Sequence, residues 1–371
     1  MTQHHLFRPS EDTGNGKRRP LTVIDLFAGA GGLSLGFEAE GFEILAAAEK
    51  DPHAVETFRY NHPGTPVVDV DLADPAADRS IRETVTGQVD IVLAGPPCQG
   101  FSLTGPRNLG DERNRLYMAV ARVVETFSPQ AFVIENVPGM KGLFGGQVVR
   151  EVIRHFGNLG DGYHVWNDVL LAAGYGVPQM RRRLFIIGLR ADLESLFVPP
   201  EPTHDPGAYI SCEEAIGDLP SRAEELGQEE DVYNSDPTTR YQEEMREGSE
   251  ALWNHVATNH TELVRSVIAQ VPEGGNYRDL PPGVGTSRSF NEAWTRYHSG
   301  RPAKTIDTGH RNHFHYKWNR VPTIRENARL QSFPDSFRFL GTRTSQNRQV
   351  GNAVPPKLAA ALASRVGEYL G

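Results

Sequence analysis

A thiol, a carboxyl group and a pair of guanidinium groups stand out in this chain, each beside an apolar run. Cys98 lies in GPPCQGFS (95–102), directly after Asp90-Ile91-Val92-Leu93-Ala94. Gly95, Pro96 and Pro97 stop that run, because proline has no N–H and a fixed φ. A thiol on a rigid loop past a buried strand is well placed to be a nucleophile. Glu135 ends Ala131-Phe132-Val133-Ile134 in the same manner and precedes Asn136, Val137, Pro138 and Gly139. A carboxyl there faces the same crevice as the thiol and can serve as its acid. Arg181 and Arg183 precede a further apolar run in QMRRRLFIIG. Strand alternation would put both on one face, with Arg182 turned away.

A fourth feature suits a bound nucleoside. DLFAGAGG (25–32) follows an apolar run and opens a helical pattern. Glycines there let a ligand approach the backbone. Glu49 ends the next run, where a carboxylate accepts hydrogen bonds from ribose hydroxyls. The glycine spacing is not the dinucleotide fingerprint G-x-G-x-x-G, which disfavours a nicotinamide cofactor. Each feature alone has a plainer reading: a strand-to-helix turn, a turn-capping glutamate, a solvated basic edge strand.

The elements that must position these groups alternate. Strand-like runs cover 21–27, 42–48, 67–71, 90–94 and 131–135, with helical patterns at 33–37, 52–60 and 115–127 between them. Alternation of this kind predicts an α/β fold with a doubly wound, mostly parallel sheet. Two further runs, 163–171 and 184–189, flank the turn-rich GYGVPQ and could pair antiparallel. After about residue 192 prolines, acidic clusters and isolated aromatics dominate, and periodicity weakens. RENARLQSF and the segment 356–370 are helical again by spacing.

The chain of 371 residues is long enough for one large domain or two ordinary ones. It has no run of 18 apolar residues, so no membrane span is expected. The start, up to Pro20, carries no secretory pattern and is expected to be a tail. Two cysteines, 98 and 212, argue against a disulfide framework, and Cys212 is expected to be incidental. The net charge of −9 argues against nucleic acid, but it is unevenly spread. Residues 201–250 hold 15 acidic against 3 basic side chains, whereas 286–349 hold 12 basic against 4 acidic. A basic segment of that kind is either a phosphate footprint or a solvated, ion-paired face.

The set of motifs closely resembles the cytosine carbon-5 DNA methyltransferases, in that family's order and over nearly the whole chain. DLFAGAGG is similar to its cofactor loop, GPPCQGFS to its nucleophile loop, ENVPG to its acid, and QMRRRLFIIG to its Gln-x-Arg-x-Arg strand. RENARLQSFPDSF and QVGNAVPP are similar to its last two motifs. The resemblance implies the S-adenosylmethionine-dependent methyltransferase fold. S-adenosylmethionine is then the methyl donor, S-adenosylhomocysteine the product, and no metal is expected. Phe27, Ala28, Gly29, Gly31, Gly32, Glu49, Lys50, Asp71, Pro96 and Asn352 fall on the cofactor site. Asp71 corresponds to the residue that reads the adenine amino group, and Glu49 to the ribose carboxylate. Cys98 is implied as the nucleophile toward carbon 6 of cytosine and Glu135 as the acid at ring nitrogen 3. Arg183 is implied as the donor to the exocyclic oxygen, and Arg181 as a support for the thiolate, the loop or a phosphate.

The implied substrate is double-stranded DNA with its cytosine flipped out of the stack. Gln99, Ser102, Arg107 and Arg113, on a polar loop after the nucleophile, are expected to meet it. Arg311, His313, His315 and Lys317 in HRNHFHYKWNR are expected to contact phosphates and base edges. The three histidines of that segment could instead hold a metal, a reading disfavoured by the lack of a nearby cysteine. The expected domains are a tail (1–19), a catalytic and cofactor-binding domain (20–190), a loop-rich target-recognition domain (191–320), and a segment (321–371) returning to the catalytic domain. The compact chain resembles bacterial enzymes of restriction–modification systems. That implies a partner endonuclease and a cytoplasmic, nucleoid-associated monomer. A tRNA methyltransferase of the same family and a non-catalytic DNA-binding relative remain alternatives.

Overall fold

The computed structural model describes residues 19–97, 115–286, 293–309 and 312–371. The expected nucleophile Cys98, the loop residues Gln99, Ser102, Arg107 and Arg113, and Arg311 lie outside them.

Two compact units are present. The first comprises the described residues up to Leu171, Arg182–Glu201 and Leu358–Gly371; the second comprises Ala172–Arg181 and the described residues of Pro202–Lys357. Residues 191–201 thus group with the sheet-bearing unit, and 321–357 with the inserted region.

The first unit is built on one seven-stranded sheet. Its strands and helices in chain order are β1 (Thr22–Leu26), α1 (Gly32–Ala39), β2 (Glu43–Glu49), α2 (Pro52–Asn61), β3 (Val67–Asp69), α3 (Ala77–Thr84), β4 (Ile91–Ala94), α4 (Arg115–Phe127), β5 (Ala131–Asn136), α5 (Gln147–Gly157), β6 (Tyr163–Leu171) and β7 (Arg182–Arg190). The strand order is β3-β2-β1-β4-β5-β7-β6. β1 to β5 run parallel, and β7 is antiparallel to both β5 and β6. The doubly wound, mostly parallel sheet expected from the alternation is therefore present, as is the antiparallel pair. β1, β4 and β5 are buried throughout, which suits parallel strands covered on both faces. Their reversal from β1 to β4 puts the carboxyl ends of these strands at the topological switch point, where such sheets bind ligands.

The last helix, α11 (Pro356–Leu370), is held in the first unit by Leu358, Leu362 and Val366, all fully buried. Their four-residue spacing makes one apolar stripe, and burying each contributes about 1.5–3 kcal/mol. Arg365 Nε also donates to the Val198 carbonyl at 2.8 Å, and the Tyr369 ring packs on Phe197 at 5.8 Å.

The second unit has short helices around a polar interior: α6 (Cys212–Ile216), α7 (Arg240–Arg246), α8 (Glu262–Gln270), α9 (Ile324–Leu330) and α10 (Arg343–Asn352). α9 starts with a capping box between Thr323 and Glu326. The buried Arg329 bonds Asp218 at 2.5 Å and Asp335 at 2.6 Å. Glu326 receives Arg320 in a bidentate pair at 2.6 and 2.7 Å. Such fully paired charges replace water with fixed partners. RENARLQSFPDSF is therefore a scaffold. Cys212 is also buried, and burial pushes its thiol pKa up, so it is inert.

Candidate active site

The glycine loop leaves β1 through Phe27, whose φ is +57°, and Gly29, whose φ is +56°. A side chain on Gly29 would meet no atom within 4 Å, so the backbone here faces open space. Glu49, at the end of β2, holds the loop from one side. Its Oε2 accepts from Gly29 N at 2.9 Å, and its Oε1 accepts from Lys50 N and Asp51 N, each at 2.8 Å. A carboxylate has about four acceptor sites, so capacity remains for ribose hydroxyls. Just past β3, Asp71 pairs with Lys50 Nζ at 3.2 Å. A bond from Ala73 N, followed by that lysine, holds the Asp71 carboxyl below its ordinary pKa. Open backbone, an anchored carboxylate and an exposed acid together fit a nucleoside with a purine amino group.

Behind the loop, Asp25 is fully buried. Its Oδ2 accepts from the Ser34 hydroxyl at 2.7 Å, while Oδ1 has no hydrogen-bond partner. Burial pushes its pKa from 3.8 up to about 7, against the opposing pull of Ser34.

Glu135 and Arg183 meet across two strands. Glu135 pairs with Phe185 in the β5–β7 register, so Arg183, two residues earlier, is its diagonal neighbour on the same face. Arg183 Nε lies 2.8 Å from Glu135 Oε1, and both side chains are only 12% exposed. Burial holds the Arg183 pKa below its ordinary value, against the opposing pull of Glu135. The loop that leads to Cys98 adjoins this pair: a side chain on Gly95 would stand 3.9 Å from Glu135 Oε2 and 3.7 Å from the Phe27 carbonyl. Asn136 holds that loop. Its Nδ2 donates to the Pro96 carbonyl at 2.9 Å and lies 2.7 Å from the Tyr117 hydroxyl. Asn136 belongs to the ENVPG motif, but nothing in the sequence alone says where its amide points.

Arg181 lies just before β7. β7 begins at Arg182, so alternation does not extend to Arg181, which belongs to the second unit. Its buried guanidinium donates to the carbonyls of Gly351 at 2.9 Å and Asn352 at 3.3 Å. Gln179 in the same motif bonds Gln331 and accepts from Ile306 N at 3.0 Å, and Gln331 donates to the Ala353 carbonyl at 2.6 Å. These bonds tie three of the motifs into one frame around Asn352, whose side chain is exposed.

His313 and His315, expected at a nucleic-acid surface, are both buried. His313 packs its ring on Tyr297 at 5.3 Å, and His315 is 2% exposed. His315 Nδ1 accepts from Lys317 N at 3.0 Å and Trp318 N at 3.2 Å, so its proton sits on Nε2, toward Glu326. Burial lowers its pKa to about 3, which keeps the ring neutral. Both rings belong to the core of the unit. Lys317 is exposed, its ammonium 5.0 Å from the Trp318 ring. Among the described residues, no group of three or more His, Cys, Asp or Glu could hold a metal, and no helix is long and apolar enough to cross a membrane.

A family model described as C-5 cytosine-specific DNA methylase matches residues 21–368. The Type II methyltransferase M.DdeI of Desulfomicrobium norvegicum is 38% identical, covering 94% of this chain and 89% of the relative. M1.HphI of Haemophilus parahaemolyticus is 39% identical, covering 93% and 86%. Among solved structures, an Escherichia coli protein described as a prophage-encoded DNA modification methyltransferase superposes with a TM-score of 0.76 at 28% identity, over 94% of this chain and 99% of that one.

Proposed function

Because the chain belongs to the C-5 cytosine-specific DNA methylase family, we propose that Cys98 bonds covalently to carbon 6 of a cytosine flipped out of duplex DNA. The enzyme is a DNA (cytosine-5-)-methyltransferase of the Type II kind and depends on S-adenosylmethionine. The observation that carries the finer reading is the Glu135–Arg183 pair beside the loop that presents Cys98.

Carbon 5 of cytosine is a poor nucleophile. A thiolate on Cys98 adds to carbon 6 and pushes the electrons of the 5,6 double bond into the ring. Glu135, in its protonated form, gives its proton to ring nitrogen 3 and so accepts that push. Arg183 orients the Glu135 carboxyl and offers a donor to the exocyclic oxygen. Bound at Glu49, Asp71 and the 27–32 loop, S-adenosylmethionine supplies a methyl group on a positively charged sulfur, which the activated carbon 5 can attack. As carbon 5 attacks, Glu135 takes the proton back from nitrogen 3; loss of the carbon-5 proton to solvent then expels the Cys98 thiolate and restores the ring. Asn136 keeps the proline loop in place.

Flipping the base costs a few kcal/mol, which contacts from Gln99, Ser102, Arg107, Arg113, Arg311 and Lys317 would offset. The Type II relatives support protection of DNA from a partner endonuclease. Incubation with labelled donor and either duplex DNA or tRNA tests the substrate: label enters DNA, and label in tRNA alone would overturn the reading. Bisulfite sequencing of plasmid from expressing cells would report the base and the site together.

A further inference from the structure

One side chain outside all the motifs sits directly beneath the glycine loop. His62 caps α2: its N–H donates to the Phe58 carbonyl at 2.8 Å, and its own carbonyl accepts from Thr65 N at 3.0 Å. The ring is fully buried, stacked on Phe58 at 4.2 Å, with Nδ1 2.7 Å from Glu38 Oε2. The far side of the ring faces Gly31. A side chain there would stand 2.3 Å from His62 Nε2 and 2.9 Å from Cδ2, closer than atoms approach. The imidazole therefore occupies the space that Gly31 leaves by having no Cβ. Gly31 is the N-cap of α1, with φ +96°, and Glu38 lies in the last turn of the same helix. One ring thus touches both ends of α1, by packing at its start and by a hydrogen bond near its end.

We propose that His62 is a positioning residue for the methyl-donor loop: its ring is the floor that fixes Gly31 and the first turn of α1, and Glu38 holds the ring there. The proposal rests on reading 27–32 as the donor site. The loop has positive φ at Phe27, Gly29 and Gly31; Phe27 is strained there, and the glycines adopt other conformations as readily, so the surroundings must select these ones. Glu49 enforces them from the Gly29 side; His62 does so from beneath. Without the floor, only a fraction of molecules would carry the loop correctly placed, and donor affinity would fall by that fraction. Chemistry on the donor once bound would change little, so KM and kcat should separate.

Titration calorimetry with S-adenosylhomocysteine on the full chain, alongside steady-state methylation of duplex DNA, provides the test. His62→Ala should weaken binding and raise the donor KM by roughly tenfold, with kcat at saturating donor within about twofold of wild type. His62→Phe keeps the stacked ring and should stay within about threefold, which guards against a mere loss of folding. Glu38→Ala, at a partly exposed position, should weaken binding by roughly threefold with the fold intact; it decides the matter if His62→Ala does not fold. Wild-type affinity in both His62→Ala and Glu38→Ala would overturn the proposal. So would a fall in kcat at unchanged affinity, or His62→Phe binding as weakly as His62→Ala. Failure of the wild-type chain itself to bind S-adenosylhomocysteine would instead remove the donor-site reading.

Discussion

Arg183 Nε and Glu135 Oε1 stand 2.8 Å apart on neighbouring antiparallel strands, almost out of reach of water. In that setting the arginine orients the acid. Glu135→Gln keeps the shape and removes the proton, so kcat should fall about a hundredfold to ten-thousandfold. S-adenosylhomocysteine binding should be unchanged. Single-turnover methylation with calorimetry on the same sample checks both halves; a lost affinity would mean that the carboxyl serves the donor site instead.

Removing the other partner should act on stability as well. Arg183→Ala leaves the Glu135 carboxylate buried without its cation, a change that costs about 3–5 kcal/mol. Chemical denaturation should show a loss of that order. Arg183→Lys restores a charge but not the planar fork, and should recover stability more fully than activity.

The donor site has its own signature. Glu49 accepts from three backbone N–H groups, and Glu49→Gln turns one acceptor into a donor facing them. Affinity for S-adenosylhomocysteine should drop at least tenfold, about 1.4 kcal/mol, with thermal shift by the ligand falling in parallel. Asn136→Asp should do the reverse. A carboxylate cannot donate to the Pro96 carbonyl, so kcat should fall by about tenfold or more while ligand binding holds.

Asp25 gives a pH dependence with a definite sign. Its pKa is 3.8 in ordinary surroundings and about 7 here. Below pH 3.8 the folded and unfolded forms are both protonated, and burial carries no electrostatic penalty. Above pH 7 both are ionised, and the folded state bears the full penalty, at most about 4 kcal/mol. Stability from this group is therefore present in acid and lost as pH rises through 7. Denaturant titrations from pH 4 to 8 should show this slope in wild type and its absence in Asp25→Asn; identical slopes would contradict it.

Much of the sheet unit was legible because its signals are local. Apolar runs stopped by glycine or proline gave the strands, and their alternation with helices gave a parallel sheet. Alternation did not say that Arg183 would meet Glu135; the β5–β7 register does. Nothing local in the sequence says that the Arg181 guanidinium is held by the carbonyls of Gly351 and Asn352. In the second unit, composition could not separate a buried polar side chain from an exposed one. His313 and His315 look like a nucleic-acid surface in sequence, yet their partners, Tyr297 and Glu326, make them core. RENARLQSFPDSF reads as a charged helix, but Asp218 and Asp335 bury its arginine. Such partners are set by the fold and leave no periodic trace.

The central claim is that Cys98 bonds to carbon 6 of the target cytosine before the methyl group is transferred. Duplex DNA carrying fluorine in place of the carbon-5 hydrogen tests it most directly. Fluorine cannot leave as a proton does, so the thioether to Cys98 would persist after methyl transfer. With the methyl donor present, wild type should give a denaturation-resistant protein–DNA adduct whose peptide mass maps to Cys98, and Cys98→Ser should give none. An adduct in Cys98→Ser, or methylated unmodified DNA from that variant, would contradict the account.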